Sequence, residues 1–316
     1  MRIRQAKLWL GLIVGLVFLY LAFRNAELAT IWELLRTALI LPMLGSVGLR
    51  FASLWVRALR WRSILKPLST MTRARAFRLV SLGEISNGLL PVRGGDVVRV
   101  LLVSKDQHMS KAAGAASILL EKLYDLGVVL IFLVATSVVL TSPDVVDLQL
   151  RWIAAGLALS VLLLVVFVRK AALLRTHSAF SGIAERFRDG LLILQNAGQA
   201  LRVLGESLLL WVLAGLGLYL VVVALHLPLP WYSGFFIIGV SAIGSLLPTA
   251  PAAIGTTELL FVIGFQPFGI DKNAALACAL LARGLQIVSL ALAGIATASH
   301  RDVQLSLTPE PDGREP

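Results

Sequence analysis

The feature that most constrains this chain is a broken apolar stretch that occurs twice. Gly88-Leu89-Leu90-Pro91 and Ser245-Leu246-Leu247-Pro248 each interrupt an otherwise apolar segment. The first continues into Val92-Arg93-Gly94-Gly95-Asp96, and the second runs through Pro251, Ala252, Ala253 and Gly255 to Glu258. Pro91, Pro248 and Pro251 end helices, and Gly94, Gly95 and Gly255 permit tight backbone beyond them. A break at membrane depth exposes N–H and C=O groups that lipid cannot satisfy, so it persists only inside protein or beside a wet cavity. Two breaks in corresponding halves of one chain point to a transporter-type binding site.

The chain is 58% hydrophobic and 15% charged, against about half and a quarter in soluble domains. Apolar runs recur along the whole length, so residues 1–300 read as a single membrane domain and 301–316 as a disordered cytoplasmic tail. A net charge of +11 invites a nucleic-acid reading, but the basic residues cluster between apolar runs, where they orient a membrane protein and meet anionic lipid. No nucleic-acid partner is expected. The basic start and the apolar residues 8–23 imitate a signal peptide but lack a small-residue cleavage site, and read as an uncleaved span. The single cysteine, Cys278, permits no internal disulfide, and His108, His177, His226 and His300 have no metal-ligand spacing. No phosphate loop of the G-x-x-x-x-G-K-[ST] type occurs, so ATP hydrolysis is not expected, and no metal or cofactor is expected either.

Hydropathy places spanning helices near 6–23, 37–56, 117–140, 151–168, 207–227 and 274–298. The broken segments 76–105 and 233–265 read as re-entrant hairpins whose arms are too short to span alone. With the N-terminus in the cytoplasm, Arg2, Arg4 and Lys7 lie inside, as does the run from Arg57, Arg60 and Arg62 to Arg78. The loop carrying Arg169 to Arg202 also falls inside, whereas Glu27, Glu33, Asp144, Asp147 and Asp271 fall outside. That satisfies the positive-inside rule. Trp9, Trp55, Trp61, Trp152 and Trp231 fall near span ends, as in an aromatic belt.

Three spans separate the hairpins, so they enter from opposite sides. The predicted fold is an all-α polytopic membrane protein with about six spanning helices, two oppositely oriented re-entrant helical hairpins and an inverted internal repeat. The repeat halves are about 37–140 and 207–298, with an amphipathic connector at about 172–204 on the cytoplasmic surface. The expected location is a bacterial-type cytoplasmic (inner) membrane, multi-pass, with both termini cytoplasmic.

Ionised groups inside these spans are the candidate site, since charges at membrane depth face a cavity or one another. Glu121 and Asp125 share a helix face with Lys122 beside them, and the first hairpin adds Glu84, Asn87, Arg93, Asp96 and Arg99. Ser46, Arg50, Ser53 and Arg57 line one face of the second span. In the second half, Glu258 is the expected partner of Arg283, and an anionic phosphate is an alternative partner for the same guanidinium. The half-helices after each break would direct positive N-termini at an anion. A structural ion pair or an interfacial, snorkelling position is the competing explanation for each group.

The segment Asn87 to Arg99, the motif Glu121-Lys122-Leu123-Tyr124-Asp125 and the segment Pro251 to Glu258 resemble the lysylphosphatidylglycerol synthase transmembrane family of flippase-like integral membrane proteins. Arg57-Ala58-Leu59-Arg60-Trp61 is similar to that family's basic-aromatic run, and the resemblance covers roughly residues 7–298. It implies movement of a modified phospholipid between leaflets, the lipid itself being made by a separate synthase domain that this sequence does not display. Other stand-alone relatives imply polyprenyl-linked sugar or hopanoid pathways, so cargo does not transfer with the fold. Lys122 stands where the family commonly has Arg, and Ala252 and Ala253 where glycines are expected. The expected partners are membrane lipids with an anionic headgroup, together with a lipid-synthesising enzyme. A membrane-embedded transferase, a small-solute transporter and a non-catalytic partner subunit remain as alternatives.

Overall fold

The computed structural model describes residues 2–89, 94–107, 109–140, 196–244 and 253–298, with 156 and 159 besides. Among these the chain is helical and contains no strand. The elements are α1 (Arg2–Phe23), α2 (Leu28–Arg36), α3 (Ile40–Leu65), α4 (Arg73–Leu89), α5 (Gly94–Asp106) and α6 (Lys111–Leu140). They continue with α7 (Ala197–Ala224), α8 (Ser233–Gly244), α9 (Thr256–Phe265), a 3-10 turn at Gln266–Phe268, and α10 (Lys272–Ala298).

Two described helices, α7 and the Lys272–Thr297 part of α10, are long and apolar enough to cross a bilayer by themselves. The end of α1 and α2 make a third if counted together, although they meet at 83°. Lys272 fastens that corner: its Nζ donates to Leu21 O at 3.1 Å and Arg24 O at 2.6 Å, the otherwise orphaned carbonyls ending α1. Apart from 156 and 159, the predicted span 151–168 lies outside the described residues, as do residues 172–195 of the connector, Pro91, Arg93, Pro248, Pro251 and the tail 301–316.

Three expectations need correction. The second span does not end at 56: α3 runs on to Leu65, so Arg57, Arg60 and Arg62 are helical rather than in a cytoplasmic loop. Trp61 is fully buried instead of standing in an interfacial belt. Residues 197–204 are not a separate connector helix but the first turns of α7, capped where Asn196 Oδ1 accepts from the Gln199 N–H at 3.1 Å.

The packing has a simple order. α3 lies along α7, and this is the most extensive helix pair. α3 packs on α4, α4 on α5, and α5 on α6; likewise α7 packs on α8, α8 on α9, and α9 on α10. Across the seam α10 meets α3 and α4, and α6 meets α7 and α8. Exchanging α3, α4, α5 and α6 for α7, α8, α9 and α10 leaves this set of neighbours unchanged. Glycines set several of the close approaches. A Cβ on Gly95 would lie 1.9 Å from Gly83 O, joining α4 to α5, and one on Gly234 would lie 2.3 Å from Gly215 O, joining α7 to α8. Small residues play the same part in α10, where Ala274, Ala275, Ala277, Cys278 and Ala279 are buried. One apolar core gathers Leu218, Val221, Ile237, Phe261, Phe265 and Leu276, and a second gathers Leu54, Trp61, Leu65, Phe77 and Val80.

Candidate functional site

The extension of α3 carries Arg57 and Arg60 one helical turn apart, opposite Glu121 and Asp125 on α6. Arg60 is completely buried, and its guanidinium reaches Asp125 at 2.5 and 3.2 Å and Glu121 at 3.2 Å. It also donates to Ser207 Oγ of α7 at 3.0 Å. Arg99, on α5, forms a two-pronged pair with Glu121 at 2.8 and 3.3 Å and lies over the Trp61 ring at 4.3 Å. Trp61 Nε1 donates to Ser117 Oγ at 3.1 Å, while Trp211 Nε1 donates to Asp125 at 2.8 Å. Arg57 sits more loosely, 3.5 Å from both Glu84 and Glu121. Beside this core Lys122 pairs with Asp96 at 3.2 Å.

These groups form a buried network spanning α3, α4, α5, α6 and α7. Among the described residues four cations, Arg57, Arg60, Arg99 and Lys122, face four carboxylates, Glu84, Asp96, Glu121 and Asp125, and this set is formally neutral. Neutrality explains how so many charges are tolerated inside an apolar bundle, because a buried charge persists only when paired and hydrogen-bonded. Glu121 is fully buried among three guanidiniums.

A cavity of about 180 Å³ opens beside the network. Arg50, Ser53, Leu54 and Arg57 of α3 form one wall, and Leu210, Trp211 and Ala214 of α7 form another. Glu84, Ile238 and the α10 residues Gln286, Ser289 and Leu290 close it. The cavity therefore lies on the α3–α7 seam, with walls from both sets of helices. A larger open groove of about 460 Å³ along Leu16, Leu19, Tyr20 and Phe23 of α1 has an apolar lining and offers no chemistry.

The second half holds a smaller charged site. Arg283 Nε donates to Glu258 Oε1 at 2.8 Å, the pairing anticipated from the sequence. Glu258 also accepts the Gly255 N–H at 2.7 Å, capping α9 with its own side chain. At the other break Asn87 Oδ1 accepts the Gly95 N–H at 2.9 Å. A leading backbone donor of each half-helix is thus already taken by a side chain, which departs from the expectation of half-helix ends held open for an anion. Ala253 adopts φ 52°, a conformation suited to the glycine expected there.

The structure brings Arg57, Glu84, Asp96, Arg99, Glu121, Lys122 and Asp125 together, with Arg50 and Asn87 at the margin. Glu258 and Arg283 form a separate pair. Gly88 lies in the last turn of α4 with open space around it, while Gly94 and Gly95 begin α5. Arg60, Ser207 and Trp211 are the site residues that the sequence reading passed over. The signal for Arg60 was its i, i+3 spacing from Arg57 against the i, i+4 spacing of Glu121 and Asp125, two complementary ladders; no sequence spacing marked Ser207 or Trp211.

Residues 8–294 match the family model described as the lysylphosphatidylglycerol synthase TM region. The chain belongs to that family. It is 26% identical over 213 residues to the UPF0104 membrane protein MJ1078 of Methanocaldococcus jannaschii, covering 66% of this chain and 90% of that one. It is 24% identical over 299 residues to the glycosyltransferase AglD of Haloferax volcanii, covering 81% of this chain but only 48% of that protein. No solved structure matches the chain. Membership in this family and the apolar helices make the chain a membrane protein.

Proposed function

We propose that the chain translocates the headgroup of an anionic or modified (glyco)lipid between leaflets while the acyl chains remain in the bilayer. The observation that carries this reading is the charged cavity on the α3–α7 seam. A polar cavity walled by both halves of a membrane protein is where an alternating-access site belongs. The unchanged neighbour set on exchanging α3–α6 for α7–α10 supports an inverted repeat in which α4–α5 and α8–α9 are the re-entrant hairpins. The basic stretches around Lys66 and Arg73 support cytoplasmic termini in an inner-type membrane.

The matched half of the glycosyltransferase relative supports a working connection to an enzyme that modifies lipids, with a glycosylated lipid among the cargo classes to test. The test is leaflet exchange of fluorescent phosphatidylglycerol, aminoacyl-phosphatidylglycerol and polyprenyl-linked sugar in proteoliposomes. Wild type is expected to accelerate exchange of at least one lipid, and Glu258→Gln and Arg283→Ala to slow it. Folded protein that leaves all three lipids unexchanged would refute the reading.

A further inference from the structure

We propose that α2 is an interfacial anchor, lying flat in the plane of the membrane and docking through Leu28 and Trp32 into the boundary between headgroups and acyl chains. Its partner is the bilayer surface itself, and the attachment is apolar rather than electrostatic.

α1 has 22 residues and so rises about 33 Å, enough to cross a hydrocarbon core about 30 Å thick without help. α2 has 9 residues and meets the end of α1 at 83°. A helix set nearly square to a spanning one runs parallel to the membrane plane. The corner is pinned at two points, by Lys272 on the closing carbonyls of α1 and by the Glu27 N–H bond to Asn273 Oδ1 at 2.9 Å.

At about 100° per residue the surface of α2 divides three ways. Ile31 is buried, and Leu34 and Leu35 pack beside it on the core that holds Phe265 and Leu276. One flank carries Leu28 and Trp32, one helical turn apart, which stay 69% and 64% exposed. The other flank carries Thr30, Glu33 and Thr37. These groups bond within the helix: Thr30 Oγ1 donates to Glu27 Oε2 at 2.9 Å, and Glu33 holds Arg36 at 2.8 Å. With water on both flanks, Leu28 and Trp32 would be an unexplained apolar surface. Sunk in hydrocarbon, the helix would place Glu33 and Arg36 where ionised groups are costly. An interfacial position satisfies both flanks at once, and tryptophan favours that depth.

The apolar flank is continuous with other lipid-facing surface. It runs on into Ile40, Leu41 and Leu44 at the start of α3, and α1 exposes Leu16, Val17 and Tyr20 before the corner. Charge sets the mode of attachment. Interfacial helices are typically rich in Lys and Arg on the polar face and are drawn to anionic lipid. α2 with its preceding Glu27 holds two carboxylates and one Arg, and that Arg is paired with Glu33. Attachment should therefore be indifferent to headgroup charge. With the N-terminus cytoplasmic, the surface that α2 meets is that of the outer leaflet. Because α2 packs on α10, it would fix the depth of the helix that bears Arg283.

Power-saturation electron paramagnetic resonance of the full chain in proteoliposomes tests this. A nitroxide is attached to each of Leu28→Cys, Thr30→Cys, Trp32→Cys and Glu33→Cys, with little background from buried Cys278. Relaxation by oxygen, which concentrates in lipid, is compared with relaxation by a nickel chelate, which stays in water. Positions 28 and 32 are expected to favour oxygen several-fold, and positions 30 and 33 the chelate several-fold. The pattern should be the same in phosphatidylcholine alone and with phosphatidylglycerol added. All four positions are exposed, so each variant should keep the wild-type melting temperature.

Chelate preference at 28 and 32 would place that flank in water and overturn the proposal. Exclusion of both reagents there would overturn it in favour of a protein partner or a second copy of the chain. Oxygen preference at 30 and 33 would make α2 half of a broken span instead of an anchor. A pattern that appears only with phosphatidylglycerol would overturn the apolar basis of the attachment.

Discussion

Glu121 and Glu84 both belong to the buried network, yet removing their charges should have very different consequences. Glu121 has no exposed side-chain surface and accepts a two-pronged pair from Arg99 at 2.8 and 3.3 Å, with Arg60 at 3.2 Å and Arg57 at 3.5 Å. Glu121→Gln keeps the shape but strips the counter-charge from fully buried guanidiniums. Removing one member of such a pair costs about 3–5 kcal/mol. For a domain of this size that corresponds to a fall of roughly 6–20 °C in melting temperature. Glu84 borders the cavity, and its one ion pair among the described residues is long at 3.5 Å. Glu84→Gln should therefore cost no more than about 1 kcal/mol.

The assay is thermal unfolding of the detergent-solubilised chain, followed by fluorescence-detected size exclusion after heating. The double variant Glu121→Gln/Arg99→Met should recover much of the loss, because it deletes charge and counter-charge together. Equal melting temperatures for Glu121→Gln and Glu84→Gln would refute the view that Glu121 is a lock between helices.

Other perturbations separate packing from chemistry. Arg283→Ala leaves Glu258 buried without its guanidinium and should destabilise by about 3–5 kcal/mol, read by the same heating assay. Gly255→Ala should disrupt folding, since its Cβ would lie 2.0 Å from Gly15 O of α1 at φ 83°; Gly284→Ala, with open space around it, should stabilise by about 0.5–1 kcal/mol. Ala253→Gly relieves a left-handed φ of 52° and should raise stability by about 1 kcal/mol. Cysteines introduced at Ser69 and Thr30 should label from opposite sides of sealed vesicles, with little background from buried Cys278; labelling from one side would refute the proposed orientation.

Hydropathy located the helices where the apolar pattern is continuous. The segment expected at 274–298 is α10, Lys272–Ala298, and that expected at 117–140 is the later part of α6. The Leu-Leu-Pro breaks correctly separated α4 from α5 and α8 from α9. What a single-sequence reading could not see was compensation across long separations. Arg57-Ala58-Leu59-Arg60-Trp61-Arg62 looks like an interfacial basic run because each arginine is judged without its partner. The partner of Arg60 is Asp125, 65 residues away. Once that pair forms, the segment is a buried helix face, and Trp61 is covered by Arg99 from a third helix. α2 was missed for a related reason: Leu28–Arg36 is too short to register as a span, yet it closes against α10 through the Glu27 N–H bond to Asn273 Oδ1 at 2.9 Å.

The same contacts restrict how a headgroup could pass. Gly95 against Gly83 holds α4 to α5, and Gly234 against Gly215 holds α7 to α8, each too tightly for a Cβ to intervene. The Arg60 and Arg99 pairs fasten α3, α5 and α6 into one block. Interdigitated backbones and fully buried ion pairs do not slide in small steps, so motion is confined to seams held by looser contacts. Two such contacts border the cavity: the 3.5 Å approach of Arg57 to Glu84 and the apolar contact between α4 and α10. Opening there would separate Glu84 from Arg57 and leave Arg50 and Arg57 facing the cavity together. A disulfide engineered between α4 and α10, where Ile85 approaches Gly294, should therefore stop leaflet exchange while leaving the Glu121 network and the melting temperature intact. Exchange at the wild-type rate through that cross-link would exclude the α4–α10 seam as the path.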